Sequence, residues 1–310
     1  RMDIIRRVFY GGMRSTDTAT DTVLQRALLP TDAHAFVKVY AGSDIGRYTP
    51  YGSYSEISLC NVTAASGRIN VVDESTSPPL LRVAEGSYPL WSATEVVQCL
   101  FQEEAGVGRK EDRPSKVASA GDLVVRVHSC VNGQDAAVGD YCRAYGSTPV
   151  YKPAGLLQEN SENGSMRFGL MTGTHQQKAS GGILRRNITA LAGNADPALD
   201  EVDLATGQFR YRLSGSGFSG GIIETLDSMR IAGWNYDDHK YDDCESPGIK
   251  VPTFLAEKDK CRDWGNPLAE MYMEALRYFA ANGNAPIAGF STGDDSTLLS
   301  GMGTEAWVDP

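Results

Sequence analysis

One amphipathic helix, at residues 267–280, is the strongest structural signal in this chain. Asn266 is a good N-cap, and Pro267 suits the first helical position because its missing N–H needs no partner there. Gly283 supplies a stop signal after the helix. Apolar side chains recur at helical spacing along one continuous face, which consists of Leu268, Met271, Tyr272, Ala275, Leu276 and Phe279. The sequence therefore predicts that this face packs on a sheet containing Phe168 and Leu170.

The composition predicts a folded protein whose partners are not polyanions. The chain has 310 residues, 41% of them hydrophobic, which is enough for one large core or two smaller ones. Its net charge is −10 and it has no strongly basic run, so nucleic acid and anionic membranes are disfavoured as partners. No stretch of about 18 uninterrupted apolar residues occurs, so no membrane span is predicted. The chain begins at Arg1, inside a predicted helix, and no signal peptide is recognisable at its start. We therefore expect the chain to be an interior piece of a longer protein.

Three regions follow one another along the chain. Residues 1–30 contain a first helix, which ends at Gly11-Gly12, and a linker. Residues 31–120 alternate short extended runs with clusters of Gly, Ser and Pro, a texture typical of a β-rich insertion. Residues 121–310 contain strand patterns and two helices, and we interpret them as an α/β scaffold.

Aromatic side chains concentrate in the β-rich insertion. Tyr and Trp serve well as contact residues on a binding face, and they also fill small β cores. Core packing is the favoured interpretation for this set, which consists of Tyr48, Tyr51, Tyr54, Tyr88 and Trp91.

The six cysteines favour disulfides over a metal or redox site. No Cys-x-x-Cys pair occurs, which disfavours zinc ribbons, thioredoxin-type sites and haem attachment. Buried free thiols are the alternative. Sequential pairing would join Cys60 with Cys99, Cys130 with Cys142, and Cys244 with Cys261, while other connectivities stay open. Three disulfides would imply an oxidising compartment.

The acidic stretch at residues 235–244 is a candidate cation site. Oxygen ligands of the kind that calcium binds are supplied by Asp237, Asp238, Asp242 and Asp243. The order of ligands found in EF-hands is absent, and a solvated loop anchored by a disulfide is the competing interpretation. The residue patterns require no cofactor, and calcium is the one candidate.

The loop region at residues 215–221 matches one dinucleotide-binding motif and one catalytic motif. It fits G-x-G-x-x-G, but Arg210 and Arg212 interrupt the preceding run, whereas the first strand of a dinucleotide fold is apolar throughout. The overlapping G-x-S-x-G has Ser219 as the nucleophile and His239 as its base, yet this histidine follows too soon to come from a separate strand loop. The favoured interpretation is a flexible loop in which Ser219 caps the next helix.

Several segments are similar to a known family. They are Gly265-Asn266-Pro267-Leu268 at the start of the long helix, the link 151–156, and the runs 181–187, 203–209 and 221–227. These segments resemble the PilC/PilY family of type IV pilus tip and assembly proteins, in the region where they carry a von Willebrand factor A-like domain. The resemblance implies an α/β fold, with an incomplete, Rossmann-like A-type scaffold. Residues 1–30 would supply the first helix of that domain and a linker, residues 31–120 a β-rich, disulfide-linked insertion, and residues 121–310 the rest of the scaffold.

The resemblance also bears on metal binding. In that family a helix opening Gly-Thr-Pro-Leu follows a metal-binding loop, and the first strand of the domain ends in an Asp-x-Ser-x-Ser motif. Here Asn266 replaces the threonine, and that first strand is expected to lie ahead of Arg1. Binding of Mg²⁺ or Ca²⁺ at the A-domain site should therefore be weak, and any affinity should come from the stretch Asp237 to Asp243.

A non-enzymatic role at the pilus tip or outer cell surface follows from the resemblance. Such a protein would support pilus assembly, oppose retraction and mediate surface attachment and adhesion. Its partners would be minor pilins or other tip subunits, and a surface or host receptor ligand. Two alternatives from other classes stay open: a secreted serine hydrolase that uses Ser219, and a free-standing calcium-dependent binding protein.

Overall fold

The computed structural model describes residues 2–241, except 33, 64, 70–71, 94–96, 107, 117–120, 132–141, 175–180 and 232, and also residues 267–280, 295 and 302–308. The chain divides into two compact units. Unit 1 consists of residues 1–26, 126–229 and 263–310, and unit 2 of residues 27–125 and 230–262. No helix within the described ranges is long and apolar enough to cross a membrane.

Short helices and strands alternate through the described residues. The helices are α1 (Met2–Tyr10), α2 (Ile45–Tyr48), α3 (Leu156–Ser161), α4 (Gly221–Ser228) and α5 (Leu268–Phe279). The strands are β1 (Arg14–Asp17), β2 (Thr22–Gln25), β3 (Val37–Tyr40), β4 (Ile57–Val62), β5 (Leu80–Glu85), β6 (Asp122–Val124), β7 (Arg126–His128), β8 (Cys142–Tyr145), β9 (Val150–Pro153), β10 (Phe168–Gly173), β11 (Gly181–Thr189), β12 (Trp234–Asn235) and β13 (Lys240–Tyr241).

Helix α1 ends at the glycine pair that the sequence predicts. The N–H groups of Gly11 and Gly12 donate to the carbonyls of Arg7 and Arg6, which is the paired pattern of a Schellman end. Both glycines have positive φ, at 87° and 105°, a conformation that residues with a Cβ rarely adopt.

Unit 1 has a core between α1, α3, α4 and the β-strands. Its fully buried side chains include Tyr10, Tyr145, Leu157, Leu191, Val202, Phe209, Ile222 and Ile223. Two hydrogen-bonded ladders lie beside this core, one in the order β1-β2-β7 and one that pairs β8 with β9. The guanidinium of Arg14 lies 3.6 Å from the centre of the Phe209 ring, so this core also contains a cation–π contact.

The β1–β2 hairpin encloses a buried ammonium group. Lys152, from β9, is fully buried. Its Nζ donates to the hydroxyl of Thr22 at 2.9 Å and to the carbonyl of Asp21 at 3.2 Å. It also donates to the carboxylate of Asp17 at 3.4 Å and to the carbonyl of Thr18. Burial lowers the pKa of Lys152, and the carboxylate of Asp17 opposes this shift.

Strand β11 carries three bulges where it pairs with β10. Phe168 lies opposite Thr189, but two residues later on β10 the partner is Arg186, three residues back along β11. Two further shifts follow, between Leu170 and Met171 and between Thr172 and Gly173 on β10, and β11 supplies the additional residue each time. Bulges re-aim side chains and free main-chain groups, so β11 can hold segments other than β10.

Unit 2 is built on an antiparallel sheet in the order β3-β4-β5-β6. Cys60, in the central strand β4, lies opposite Val37 on one side and Arg82 on the other. The buried side chains beside it include Trp91 and Phe101, whose ring centres are 5.5 Å apart. The indole N–H of Trp91 donates to the carbonyl of Leu100 at 2.7 Å, which satisfies the polar group of this buried ring.

The architecture is mixed α/β, as predicted, with several small sheets. Every strand pair among the described residues is antiparallel. A Rossmann-like scaffold has a mainly parallel sheet, so the described strands do not form one.

Helix α5 packs on β10 and β11, the sheet that contains Phe168 and Leu170. It begins at Leu268, with Pro267 at the N-cap, one residue later than the sequence predicts. Of the predicted inward face, Met271 contacts the sheet as predicted, and the prediction is wrong for Leu268, Leu276 and Phe279. Leu268, Leu276 and Phe279 are exposed, and the helix instead turns Pro267, Met271, Glu274 and Tyr278 towards the sheet.

The glycines of β11 explain this orientation. Gly182 has a φ of 108°, and a Cβ added there would lie 2.3 Å from Cγ of Glu274. A Cβ at Gly181 would lie 2.8 Å from both Met271 and Pro267. The helix therefore approaches the strand closely on the side that carries Met271 and Glu274, and the side that carries Leu268, Tyr272 and Phe279 is left outward.

Candidate functional site

The segment 302–308 lies along β11 and is held at the bulge near Asn187. The N–H of Asn187 donates to the carboxylate of Glu305 at 2.6 Å, and its side-chain amide donates to the same carboxylate at 2.9 Å. The N–H of Ile188 donates to the hydroxyl of Tyr278 at 2.9 Å. Glu305 and Tyr278 thus satisfy main-chain groups that the bulge frees from the ladder.

Arg186 lies between two carboxylates at the same place. It donates to Glu305 at 2.8 Å, and its Nε lies 3.4 Å from the carboxylate of Glu201. Glu201 in turn accepts the N–H groups of Ile222 and Ile223, both at 2.9 Å, where α4 begins. Burial raises the pKa of Glu201, while these N–H groups and Arg186 favour its charged form. One chain of charged contacts therefore connects the segment 302–308 with α4.

A second buried arginine holds the same segment through its main-chain carbonyls. Arg185, in β11, is fully buried and pairs with the carboxylate of Asp295. Its guanidinium also donates to the hydroxyl of Thr172 at 2.8 Å and to the carbonyls of Met302 and Gly303 at 3.3 and 3.2 Å. The consecutive arginines 185 and 186 thus both contact the segment 302–308.

A cavity of about 340 Å³ lies beside the segment 302–308. This is at the small end of the range for ligand pockets, which is roughly 300–1,000 Å³. The charged groups at its wall, Arg186 and Glu305, are already paired with each other. The remaining wall is largely apolar, so the cavity suits contact with an apolar group. It is lined by Arg186, Asn187, Ile188, Thr189, Leu199, Tyr278, Glu305, Ala306 and Val308.

Two helices of unit 1 present apolar faces to solvent. On α5 the exposed fractions are 65% for Leu268, 66% for Tyr272, 49% for Leu276 and 62% for Phe279. On α1 the polar residues Arg6 and Tyr10 point inward, and the exposed side chains are Ile4, Ile5, Val8 and Phe9. Contiguous apolar patches of this kind mark interaction sites in soluble proteins.

The described part of the candidate calcium stretch is a hairpin turn. Asp237 and Asp238 lie between β12 and β13, and both are exposed. A carboxylate oxygen of Asp237 accepts the N–H of Gly67 at 3.1 Å, which fastens the hairpin within unit 2. Asp242 and Asp243 lie outside the described residues. In the part of the chain that the structure describes, no group of three or more His, Cys, Asp or Glu side chains could hold a metal ion.

The Asp-x-Ser-x-Ser letters occur once in the chain, at residues 73–77, although the motif is expected only ahead of Arg1. The structure places them in an exposed turn of unit 2. A carboxylate oxygen of Asp73 accepts the N–H and the hydroxyl of Ser75 at 2.8 and 2.7 Å. These hydrogen bonds lower the pKa of Asp73. They are typical of a turn in which an aspartate side chain bonds the main chain two residues later, so the turn explains these residues without a metal.

Two of the sequentially paired disulfides are present. Cys60 is bonded to Cys99 in unit 2, and Cys130 to Cys142 in unit 1. Cys244 and Cys261 lie outside the described residues, so the third disulfide stays a prediction.

The glycine-rich loop does not cap α4 as predicted. Helix α4 begins at Gly221, with Gly220 at the N-cap, and Ser219 is exposed. The carboxylate of Glu201 takes the first helical N–H groups instead, so a carboxylate fills the position where a dinucleotide fold would bind phosphate. Ser219 belongs to unit 1 and His239 to unit 2.

Most of the aromatic side chains in the insertion are core residues, as predicted. Trp91 is buried, Tyr88 packs against the same cluster, and Tyr51 and Tyr54 pack around Ile57. Tyr48 differs, because it is exposed at the end of α2.

Sequence reasoning missed Glu201, Glu305 and Arg6, which organise unit 1. Each acts on main-chain groups more than 20 residues away in the sequence. Glu201 lies in the run Asp200-Glu201-Val202-Asp203, so no local pattern distinguishes it from its acidic neighbours.

The fold and the described surface define a disulfide-containing α/β protein built from two units. Two family models match it: the small alpha/beta domain of PilY1 homologs at residues 1–84, and the second domain of PilY1 homologs at residues 168–310. The chain is also 31% identical, over 293 residues, to a type IV pilus biogenesis factor PilY1 homolog of Xylella fastidiosa strain Temecula1. The chain therefore belongs to the PilY1 family.

The match covers 90% of this chain and 18% of that relative. The chain thus spans under a fifth of the length of the curated relative it matches. No solved structure matches the chain.

Proposed function

We propose that this chain is part of a non-enzymatic, type IV pilus-associated protein that supports pilus assembly. The observation that carries the proposal is the match of one chain to two PilY1 homolog domains. The relative that matches 90% of this chain is named a pilus biogenesis factor homolog. We extend that role to this chain, with minor pilins or other tip subunits as its partners.

Location at the pilus tip or outer surface, and a role in adhesion, belong to the same proposal. The disulfides Cys60–Cys99 and Cys130–Cys142 support an oxidising compartment. The exposed apolar faces of α1 and α5 support a surface that contacts other proteins. We also propose that strands outside the described residues complete an A-type scaffold. Helix α5, which begins after Pro267, supports this proposal.

A deletion of the coding region for residues 1–310 tests the role in assembly. Surface pili are counted by electron microscopy, and attachment to an abiotic surface is measured per pilus. We expect fewer pili in the deletion strain and restoration by the wild-type chain in its natural context. An unchanged pilus number would contradict the proposal, and loss of attachment at constant pilus number would favour adhesion alone.

Two variants separate the alternatives in the same assay. Ser219→Ala should restore pili fully, because Ser219 is exposed and does not cap α4, and its hydroxyl would be required only as a nucleophile. Failure of this variant, together with labelling of the wild type by a fluorophosphonate probe, would favour the hydrolase. Asp237→Ala addresses a calcium-dependent binder, and a defect that calcium chelation reproduces in the wild type would favour that class.

A further inference from the structure

The apolar residues on the outer side of α5 have the spacing of a helix-pairing seam. Leu268, Tyr272, Ala275 and Phe279 are separated by four, three and four residues, the alternation found where one helix packs along another. Ala275 is half-buried, and Met273, 56% exposed, lies outside this seam. Leu276 widens the seam on one side. The side chains that hold α5 on β11, among them Glu274 and Tyr278, are 2% and 3% exposed and lie on a different face.

No charge lies on this seam. Glu270 and Arg277 are the charged residues of α5 other than Glu274, and at about 100° per residue they point away from the seam, roughly to the opposite side of the helix. Arg277 pairs there with Glu274 at 3.2 Å. A second identical helix would therefore meet apolar side chains and no like charge.

The exposed area suits a weak dimer. Large side chains of this kind offer about 150–250 Å² each, and those of α5 leave half to two thirds of that in water. This amounts to roughly 500 Å² of apolar surface per copy, or ~1,000 Å² for two copies, near the lower limit for a specific interface. Such an area predicts reversible association rather than an obligate dimer.

We propose that α5 is a self-association surface, on which a second copy of this chain packs its own α5 seam to seam. The pairing is isologous, so Tyr272 and Phe279 of each copy are covered by the other. Self-association of the chain does not depend on the pilus role proposed above.

Sedimentation velocity of the purified chain, residues 1–310, tests the proposal at concentrations from about 1 μM to about 300 μM. We expect a concentration-dependent shift from monomer to dimer. Leu276→Glu and Tyr272→Glu place a charge on the seam and should weaken dimerisation by about tenfold or more. Leu204→Glu is the matched control, because Leu204 is an exposed leucine of the same unit, and it should dimerise like the wild type.

Loss of the dimer can be distinguished from loss of folding, because the substituted side chains are exposed and should not affect the core. Thermal melting followed by circular dichroism verifies that each variant is folded. A wild type that stays monomeric at the highest concentration overturns the proposal. So does a Leu276→Glu variant that dimerises as strongly as Leu204→Glu. If Ile4→Glu abolishes the dimer and Leu276→Glu leaves it intact, α1 provides the interface and α5 does not.

Discussion

Arg6 closes the C-terminal end of α4 by donating from its guanidinium to the main-chain oxygen of Asp227 at 3.0 Å. It also donates to the carbonyls of Leu226 and Met229 at 3.0 and 2.8 Å. Because Glu201 binds the first N–H groups of the same helix, a negative group lies at the positive end of α4 and a positive group at its negative end.

Replacing Arg6 by Met should lower the free energy of unfolding by about 3–5 kcal/mol, because it leaves buried carbonyls and the carboxylate of Asp227 without their cation. Urea denaturation followed by circular dichroism measures the change. Ile4→Ala, on the exposed face of the same helix, should cost under about 0.5 kcal/mol. Equal effects of the two substitutions would show that α1 does not buttress α4.

The two faces of α5 should respond differently to truncation. Tyr278→Ala removes a buried ring and the partner of the Ile188 N–H, so we expect a loss of about 3–5 kcal/mol. Leu276→Ala should cost under about 1 kcal/mol, because half of that side chain is in water. A loss of about 2–5 kcal/mol for Leu276→Ala would restore the inward orientation that the sequence predicts.

Glu305 should control whether the segment 302–308 stays on β11. Glu305→Ala removes the acceptor of two Asn187 donors and of Arg186, and we expect faster proteolysis after Gly303 and a loss of about 2–4 kcal/mol. Thr304→Ala, at the exposed neighbouring position, is the control and should leave both readouts unchanged. If cleavage rates match between the two variants, the Glu305 contacts do not anchor the segment.

The stability of unit 2 should depend on the protonation of His34. The carboxylate of Asp32 bonds the ring of His34 at 3.0 Å and raises its pKa above the ordinary 6.5. A raised folded-state pKa means that the stabilisation is fully present below about pH 6.5 and is lost as the pH rises through the folded value. The effect should stay under about 1 kcal/mol because the ring is partly exposed. Thermal melts of wild type and His34→Gln should therefore differ at about pH 5.5 and converge at about pH 8.5.

Calcium binding should be weak at the position of Asn266. Isothermal calorimetry of the chain should show no micromolar Ca²⁺ site, because a single amide oxygen does not offset the dehydration of the ion. Any residual affinity should fall in Asp242→Ala. Micromolar binding that Asn266→Ala abolishes and Asp242→Ala leaves untouched would contradict this expectation.

The sequence predicts elements whose causes are local. Helix α5 follows from apolar periodicity, and α1 ends at Gly11-Gly12 because only glycine readily takes the required φ. The orientation of α5 on its sheet does not have a local cause. Periodicity identifies an apolar face of α5, but it cannot tell whether this chain covers that face, and the outcome depends on Gly182 of β11, far earlier in the sequence.

The parts of the site that sequence reasoning misses have non-local causes. Ser219 stands where a cap is expected, yet Glu201 takes the N–H groups of α4 from 21 residues away. Gly182 marks one of the β11 bulges, whereas the other two depend on pairing with β10 and have no such residue signal. Glu305 gains its role only because such a bulge exposes the N–H of Asn187.

The ammonium group of Lys152, enclosed by four oxygen atoms of the β1–β2 hairpin, has a consequence for the surroundings in which this protein can work. A ring of carbonyl, hydroxyl and carboxylate oxygens is the coordination shell that a hard cation seeks. Here the cation is tethered to β9 and cannot be washed out or exchanged. The hairpin should therefore keep its shape in fluids whose mineral content varies widely, where a loop closed by a dissociable ion would open and close with the medium.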